Sequence, residues 1–297
     1  MAQPLVSVIV PTFNRPEVLN ECLRSIEGQT FRHFEVVVVN DGGADVGNVI
    51  ARWNTRGNIR YIRHPEHRGP AAARNTGIRA ATGDYIAYLD DDDLYYPNHL
   101  ETLVNFLEST GCRAAYTDAV RAHQKRVAGK FVVCKRDIPF SLDFDAERIL
   151  VRNFIPTLCI LHARDCLLES DLFDESLPVL EDWDLWIRIS RRFPFAHIRS
   201  ATCEFSWRPN GESLTSGGRE TFCRTVEVIY GKYRELARAN PRVAAGQRRY
   251  LRNAKALLRL SMLLGERSRA FQTFLGLLEK TYLRRMRRSP HTDAPGG

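Results

Sequence analysis

The sequence predicts an α/β domain with a mostly parallel central sheet and helices on both faces, and three observations predict it. Short apolar runs recur at residues 6–10, 34–39, 59–62 and 85–89, each of strand length and rich in β-branched or aromatic residues. Helical patterns fall between and after them, at 16–28, 45–55, 69–81 and 97–108, and such alternation implies parallel strands joined by helical crossovers. Polar clusters sit just past three of the runs, at 11–14, 40–43 and 90–93, where open sheets of this kind bind their ligands.

Each element has its own justification. Residues 6–10 are apolar at nearly every position, as a strand buried on both faces requires. Pro16 suits a first helical turn, Val18, Leu19, Cys22, Leu23 and Ile26 repeat at helical spacing, and Gly28 stops the run. The second strand ends in Asn40-Asp41-Gly42-Gly43, and a weaker helix leads to the third. Residues 69–81 are alanine-rich and helical, closed by Thr82-Gly83; the fourth strand then runs into Asp90-Asp91-Asp92-Asp93. A strand is predicted at 114–117. Beyond residue 120 the pattern loosens. Residues 131–133 and 158–161 read as strands, 146–151 as a short helix, and 121–156 is otherwise hard to assign. A helix at 181–192 buries Leu185, Ile187 and Ile189 around Trp183 and Trp186, and 196–207 returns as a strand. Helices are predicted at 219–240, 244–265 and 268–287, before a disordered tail at 289–297. The organisation is therefore a domain over 1–215, with halves at about 1–120 and 121–215, and a helical extension over 216–288.

Composition narrows the class. The 297 residues are 44% hydrophobic and 26% charged, enough for one large core. No apolar run reaches the roughly 18–20 residues that span a bilayer. The first strand starts within a few residues of Met1, so no signal peptide is expected. Seven scattered cysteines without a Cys-x-x-Cys pair point to reduced thiols in a cytosolic protein. The formal charge of +8 is uneven: residues 232–288 hold 16 Lys and Arg against three Glu.

The run Asp90 to Asp93 is the strongest chemical signal. Four carboxylates in series repel one another unless a cation or many donors offset them. Mg²⁺ typically takes one or two carboxylates plus substrate phosphates. A solvated acidic turn is the plain alternative, and the position after a buried strand favours metal. Asp41, before two glycines, reads by itself as a turn residue. Arg74 reads as a surface helical arginine, and Glu181-Asp182-Trp183-Asp184 as an acidic first turn complementing the helix dipole.

Taken together, the segments 6–14, 40–42, 69–77 and 83–93 resemble glycosyltransferase family 2 over about residues 5–120, and more weakly to about 215. The resemblance implies the GT-A fold, a nucleoside-diphosphate sugar donor and inversion at the anomeric carbon. It implies that Pro11, Thr12, Asn14 and Asp41 line the nucleotide, with Arg74 beside it. It implies Asp91 near the ribose and metal, and Asp92, with Asp90, on Mg²⁺ or Mn²⁺. Asp182 is then the expected base, with Glu181 and Asp184 as weaker candidates. Arg208 is expected to close over the diphosphate. The loop after Trp207 holds no histidine that would add a third protein ligand. Uridine is the expected base of the donor, and the acceptor a carbohydrate or a lipid-linked one.

Other classes fit less well. No Gly-x-Gly-x-x-Gly follows the first strand, which excludes a dinucleotide-binding oxidoreductase. A nucleotidyltransferase would want a Gly-rich, basic loop where Pro11-Thr12-Phe13-Asn14 stands. An inactive scaffold using its basic helices is the remaining alternative. Those helices carry an apolar stripe (Phe271, Phe274, Leu275, Leu278, Tyr282, Leu283) ending in Arg284, Arg285, Arg287 and Arg288. Such a stripe suits a peripheral anionic membrane surface, or packing on protein, including a second copy of the chain. Nucleic acid suits it poorly, because aromatic residues are not interleaved with the basic ones.

Overall fold

The computed structural model describes residues 5–168, 172–208 and 218–264. Strands β1 (Val6–Thr12), β2 (Phe34–Asn40), β3 (Ile59–Arg63) and β4 (Tyr85–Tyr88) pair in parallel in the order β3-β2-β1-β4. Helices α1 (Pro16–Glu27), α2 (Gly47–Trp53) and α3 (Pro70–Ala80) connect them. All seven residues of β1 are buried, which is why its sequence is apolar rather than alternating. α1 buries Leu19, Cys22, Leu23 and Ile26, each Leu or Ile contributing about 1.5–3 kcal/mol. α3 lies close on β1 at Gly77, where a Cβ would stand 2.4 Å from Ile9 Cγ2.

The sheet continues through β5 (Leu94–Tyr95), β6 (Ala114–Val127), β7 (Lys130–Asp137), β8 (Ile160–Ala163) and β9 (Ala196–Trp207). β8 runs antiparallel between β4 and β6, β9 lies parallel to β6, and β5 pairs antiparallel with the far edge of β9. α4 (His99–Thr110), α5 (Ala146–Ile149) and α6 (Glu181–Ser190) complete this half. α6 drives Trp183 and Trp186 into the core, where Trp186 meets Tyr88, Phe173 and Phe195.

Several elements differ from expectation. β6 runs ten residues past the predicted Thr117 and forms a hairpin with β7, turning at Ala128 and Gly129, both with positive φ. Residues 118–127 carry mostly polar and charged side chains, so hydrophobic patterning could not reveal this strand. The expected helix at 219–240 breaks into α7 (Gly218–Lys232) and α8 (Arg234–Arg238). α9 (Pro241–Leu264) follows, and the helix predicted at 268–287 and the tail lie outside the described residues. The extension packs on the domain: Val226, Ile229 and Val243 are buried, and Trp183 meets the rings of Tyr230 and Tyr250 edge-on. Among the described residues no helix is long and apolar enough to cross a membrane, and the seven cysteines are free.

Candidate active site

The chain leaves β4 and turns back within four residues, the Asp93 amide donating to the Asp90 carbonyl at 3.0 Å. The turn gives each of the four carboxylates its own surroundings. Asp90 accepts from Arg74 Nη2 at 2.6 Å. Asp91 accepts from Thr12 Oγ1 at 2.8 Å and faces Arg15 Nη1 at 3.3 Å. Asp92 pairs with Arg208 Nη1 at 2.8 Å and Arg15 Nη1 at 3.3 Å. Asp93 is structural in its contacts, accepting from the Ser206 amide at 3.0 Å while Ser206 Oγ donates to the Asp92 carbonyl. The sequence-expected residues Thr12, Asp90, Asp91, Asp92 and Arg208 thus meet in one place. Arg15 joins them unforeseen, although it is the one cation between the first strand and the first helix.

The electrostatics of this turn fit a divalent cation. Burial, and then the charge of Asp92, push the Asp91 carboxyl up to about 7, against Arg15 and Thr12. Burial also raises Asp92, with Asp90 adding to the rise and Arg15 and Arg208 opposing it. Three arginines, Arg15, Arg74 and Arg208, thus face Asp90, Asp91 and Asp92, and Arg74 is shared with Glu181. Among the described residues no three acidic, His or Cys side chains converge to hold a metal by themselves. A hard cation held here would take one or two of these carboxylates together with phosphate and water oxygens.

At the end of β2, Asp41 is buried and its carboxylate accepts three hydrogen bonds. Oδ1 takes His64 Nδ1 at 2.7 Å and the Arg68 amide at 3.0 Å, and Oδ2 takes the Gly69 amide at 2.7 Å; His67 Nδ1 lies 2.8 Å from Oδ2 and is hydrogen-bonded to the Asp41 carbonyl at 3.4 Å. These donors tie the β3–α3 loop to β2. His67 is 53% exposed, with its ring 4.2 Å from that of Phe13, itself exposed beyond β1. Pro11 lies within β1, and Asn14, at a φ of 56°, accepts from the Ala44 amide at 2.8 Å, joining the ends of β1 and β2. Pro11, Asn14 and Asp41 therefore lie at the adjoining ends of β1 and β2, with Phe13 and His67 exposed beside them.

The second acidic motif opens α6. Leu180 precedes it at a φ of 62°, a strained left-handed conformation for a leucine, costing on the order of 1–3 kcal/mol. Glu181 accepts from Arg74 Nη1 at 2.5 Å, so one buried guanidinium holds Glu181 and Asp90 together. Asp184 is fully buried among Arg188, Tyr233 Oη and Lys232 Nζ. Asp182 differs from both. It is partly exposed and, among the described residues, meets no cation directly; its Oδ2 accepts from Asn153 Nδ2 at 2.9 Å and Thr157 Oγ1 at 3.0 Å. Burial, reinforced by Glu181 and opposed by Arg74, raises its carboxyl to about 6. Such a group is ionised at neutral pH yet basic enough to take a proton. Asn153 and Thr157 escaped sequence analysis because their segment has no periodicity.

A fold with one acidic motif at the C-terminal end of a central strand and a second opening α6, bridged by an arginine, defines a class, and comparison with known proteins agrees with it. The glycosyl transferase family 2 model matches residues 7–165, and the chain belongs to that family. A Rickettsia bellii protein named an uncharacterized glycosyltransferase is 32% identical over 201 residues, covering 63% of this chain and 28% of its own. The chain thus spans under a third of that relative's length. The Bacillus subtilis glycosyltransferase YwdF is 26% identical over 211 residues, covering 71% of this chain and 77% of its own. Among solved structures, S. aureus TarS 1-349 in complex with UDP-GlcNAc superposes with a TM-score of 0.61 at 23% identity, over 75% of this chain and 65% of that one. The Pyrobaculum calidifontis mannosyltransferase PcManGT, in complex with GDP-Man and Mn²⁺, gives 0.62 at 18% identity, over 97% and 85%. The fold is GT-A.

Proposed function

We propose that the chain transfers a sugar from a nucleoside-diphosphate donor to a carbohydrate or lipid-linked hydroxyl, with inversion at the anomeric carbon. The observation that carries this is the Arg74 bridge, which fixes the donor-side acidic turn and the α6 motif in one site. Family membership and the nucleotide sugars bound to those two solved proteins support the donor class. A uridine donor rests on the resemblance of Asp41 to the family's base-contacting position; both Asp41 oxygens already accept from His64 and the Arg68 and Gly69 amides, so a base N–H would have to share or displace one of these donors.

In this mechanism the acceptor hydroxyl lies beside Asp182. Its oxygen attacks the anomeric carbon from the face opposite the leaving group and its proton passes to Asp182 Oδ. The bond from that carbon to the diphosphate oxygen breaks, and the diphosphate leaves with the electron pair. Arg208 and Arg15 contribute positive charge beside that diphosphate. Asp92 and Asp90 would hold Mg²⁺ or Mn²⁺, which neutralises charge on the leaving diphosphate when bound. Glu181, already paired with Arg74, orients the site rather than taking the proton.

The basic ridge of α9 supports a peripheral role. Arg248, Arg252, Lys255 and Arg259 line a basin of about 380 Å³ with Leu251 and Ala256, and Met262 and Leu263 stand exposed beyond it. An anionic membrane surface fits this ridge, each basic residue adding about 1 kcal/mol near such lipid. It would bring the site to a lipid-linked acceptor. A screen of nucleotide sugars for release of free nucleoside diphosphate, with Mg²⁺ and Mn²⁺ compared, tests the activity. Release from no donor with either metal would overturn it.

A further inference from the structure

The helices α7 and α9 lie outside the span matched by the family model, yet they reach the segment that holds Asp182. Tyr230 Oη on α7 donates to the Val151 carbonyl at 2.7 Å. Gln247 Nε2 on α9, itself buried, donates to the Leu150 carbonyl at 2.9 Å. Trp183 Nε1, the residue after Asp182, donates to the Ile149 carbonyl at 2.5 Å. Three successive carbonyls at the end of α5 are thus each held by a side chain, two of them from the extension. Gly246 lets α9 approach: a Cβ there would stand 2.9 Å from Val151 Cγ2. Two residues beyond Val151 comes Asn153, whose Oδ1 also accepts from the Ile155 amide at 3.0 Å while its Nδ2 donates to Asp182.

We infer that Tyr230 and Gln247 are positioning residues: through the carbonyls of Val151 and Leu150 they fix the loop whose Asn153 and Thr157 aim and ionise Asp182. The physical chain is short. A carboxylate with two donors on one oxygen has its rotamer set and its charged form favoured. Those donors sit on a loop with no regular secondary structure beyond the turn at Thr157–Cys159, so its backbone must be held from outside. The other charges facing Asp182 are Glu181 on its own helix and Arg74 on α3, and neither belongs to the loop. Through α7 and α9 the extension therefore acts on the side of the site beside Asp182, the side that receives the acceptor. This inference rests on Asp182 as the base only for its consequence in catalysis; the positioning itself is a statement about contacts.

The test is the titration of the Asp182 carboxyl, followed by ¹³C NMR of side-chain carboxyls in the full-length protein and assigned by its loss in Asp182→Asn. The midpoint expected in the unaltered protein is about 6. Asn153→Ala should raise it by about one pH unit, the size of losing one hydrogen bond to a charged group. Tyr230→Phe, which removes a single hydroxyl on α7, should move it in the same direction by a smaller amount, and Gln247→Leu likewise. A merely structural role would lower the melting temperature and leave the midpoint in place. If Asn153→Ala shifts the midpoint while Tyr230→Phe and Gln247→Leu do not, the helices do not position the base. Sugar transfer retained by Asp182→Asn would instead remove the base assignment and leave the positioning result intact.

Discussion

Arg74 and Glu181 meet through a 2.5 Å hydrogen bond between a guanidinium and a carboxylate that are both buried, 107 residues apart in sequence. The same guanidinium reaches Asp90, so the turn after β4 and the start of α6 share one cation. Removing one partner of a buried ion pair leaves the others uncompensated, which is the costly case. Arg74→Met should therefore destabilise the protein by about 3–5 kcal/mol, read from denaturant unfolding. Arg74→Lys should not restore it, because an ammonium cannot offer two diverging N–H groups in one plane. Near-unaltered stability in Arg74→Met would show that the bridge is not a structural element.

Asp182→Asn keeps the shape of the side chain and removes its capacity to take a proton. Sugar transfer should fall by on the order of 10²–10⁴ while donor binding persists. Transfer by the unaltered protein should decline as pH falls through about 6, as Asp182 becomes protonated. Its contribution to stability runs the opposite way. A raised carboxyl binds its proton more tightly in the folded chain, so that contribution is full below the ordinary carboxyl value and lost as pH rises through about 6. A pH–rate profile flat between 5 and 7, under conditions where chemistry limits the rate, would contradict the assignment.

Gly77 permits α3 to lie on β1. Gly77→Ala places a methyl group against Ile9 Cγ2 and should cost about 1–3 kcal/mol by overpacking. Equal or higher stability would mean that the helix can move away freely.

Replacing Arg248, Arg252 and Arg259 together by alanine removes three charges from the ridge of α9 and leaves its buried residues Val243 and Gln247 in place. Co-sedimentation with phosphatidylserine-containing vesicles at low salt should drop sharply in that variant. Equal sedimentation of the two proteins would leave the ridge as a solvated face.

The parallel half of the fold was legible because burial on both faces demands apolar strands, and because Gly28, Gly43 and Thr82-Gly83 punctuate them. Strand β9 was read at its full length, Ala196–Trp207. The hairpin of β6 and β7 was not, since a strand built of Arg121, His123, Gln124 and Lys125 carries no hydrophobic period. The site divides in the same way. The run Asp90 to Asp93 announces itself in sequence, whereas Asp182 was named only through the family resemblance. Their partners are ordinary residues made special by position. Asn153 and Thr157 lie in a segment without pattern, and His67 is one more polar residue in a loop. Arg74 reads by itself as a surface arginine and the resemblance set it beside the nucleotide; only the fold carries it between two acidic motifs.

In the proposed function the acidic turn after β4 would hold the donor diphosphate through a divalent cation. Calorimetric titration of UDP into the full-length protein, with Mn²⁺ and then with excess chelator, tests it most directly. UDP should bind with Mn²⁺, lose most of its affinity in chelator, and fail to bind Asp92→Ala under either condition, while GDP binds the unaltered protein more weakly. Binding of UDP by Asp92→Ala as tight as by the unaltered protein, or indifference to chelator, would contradict the account.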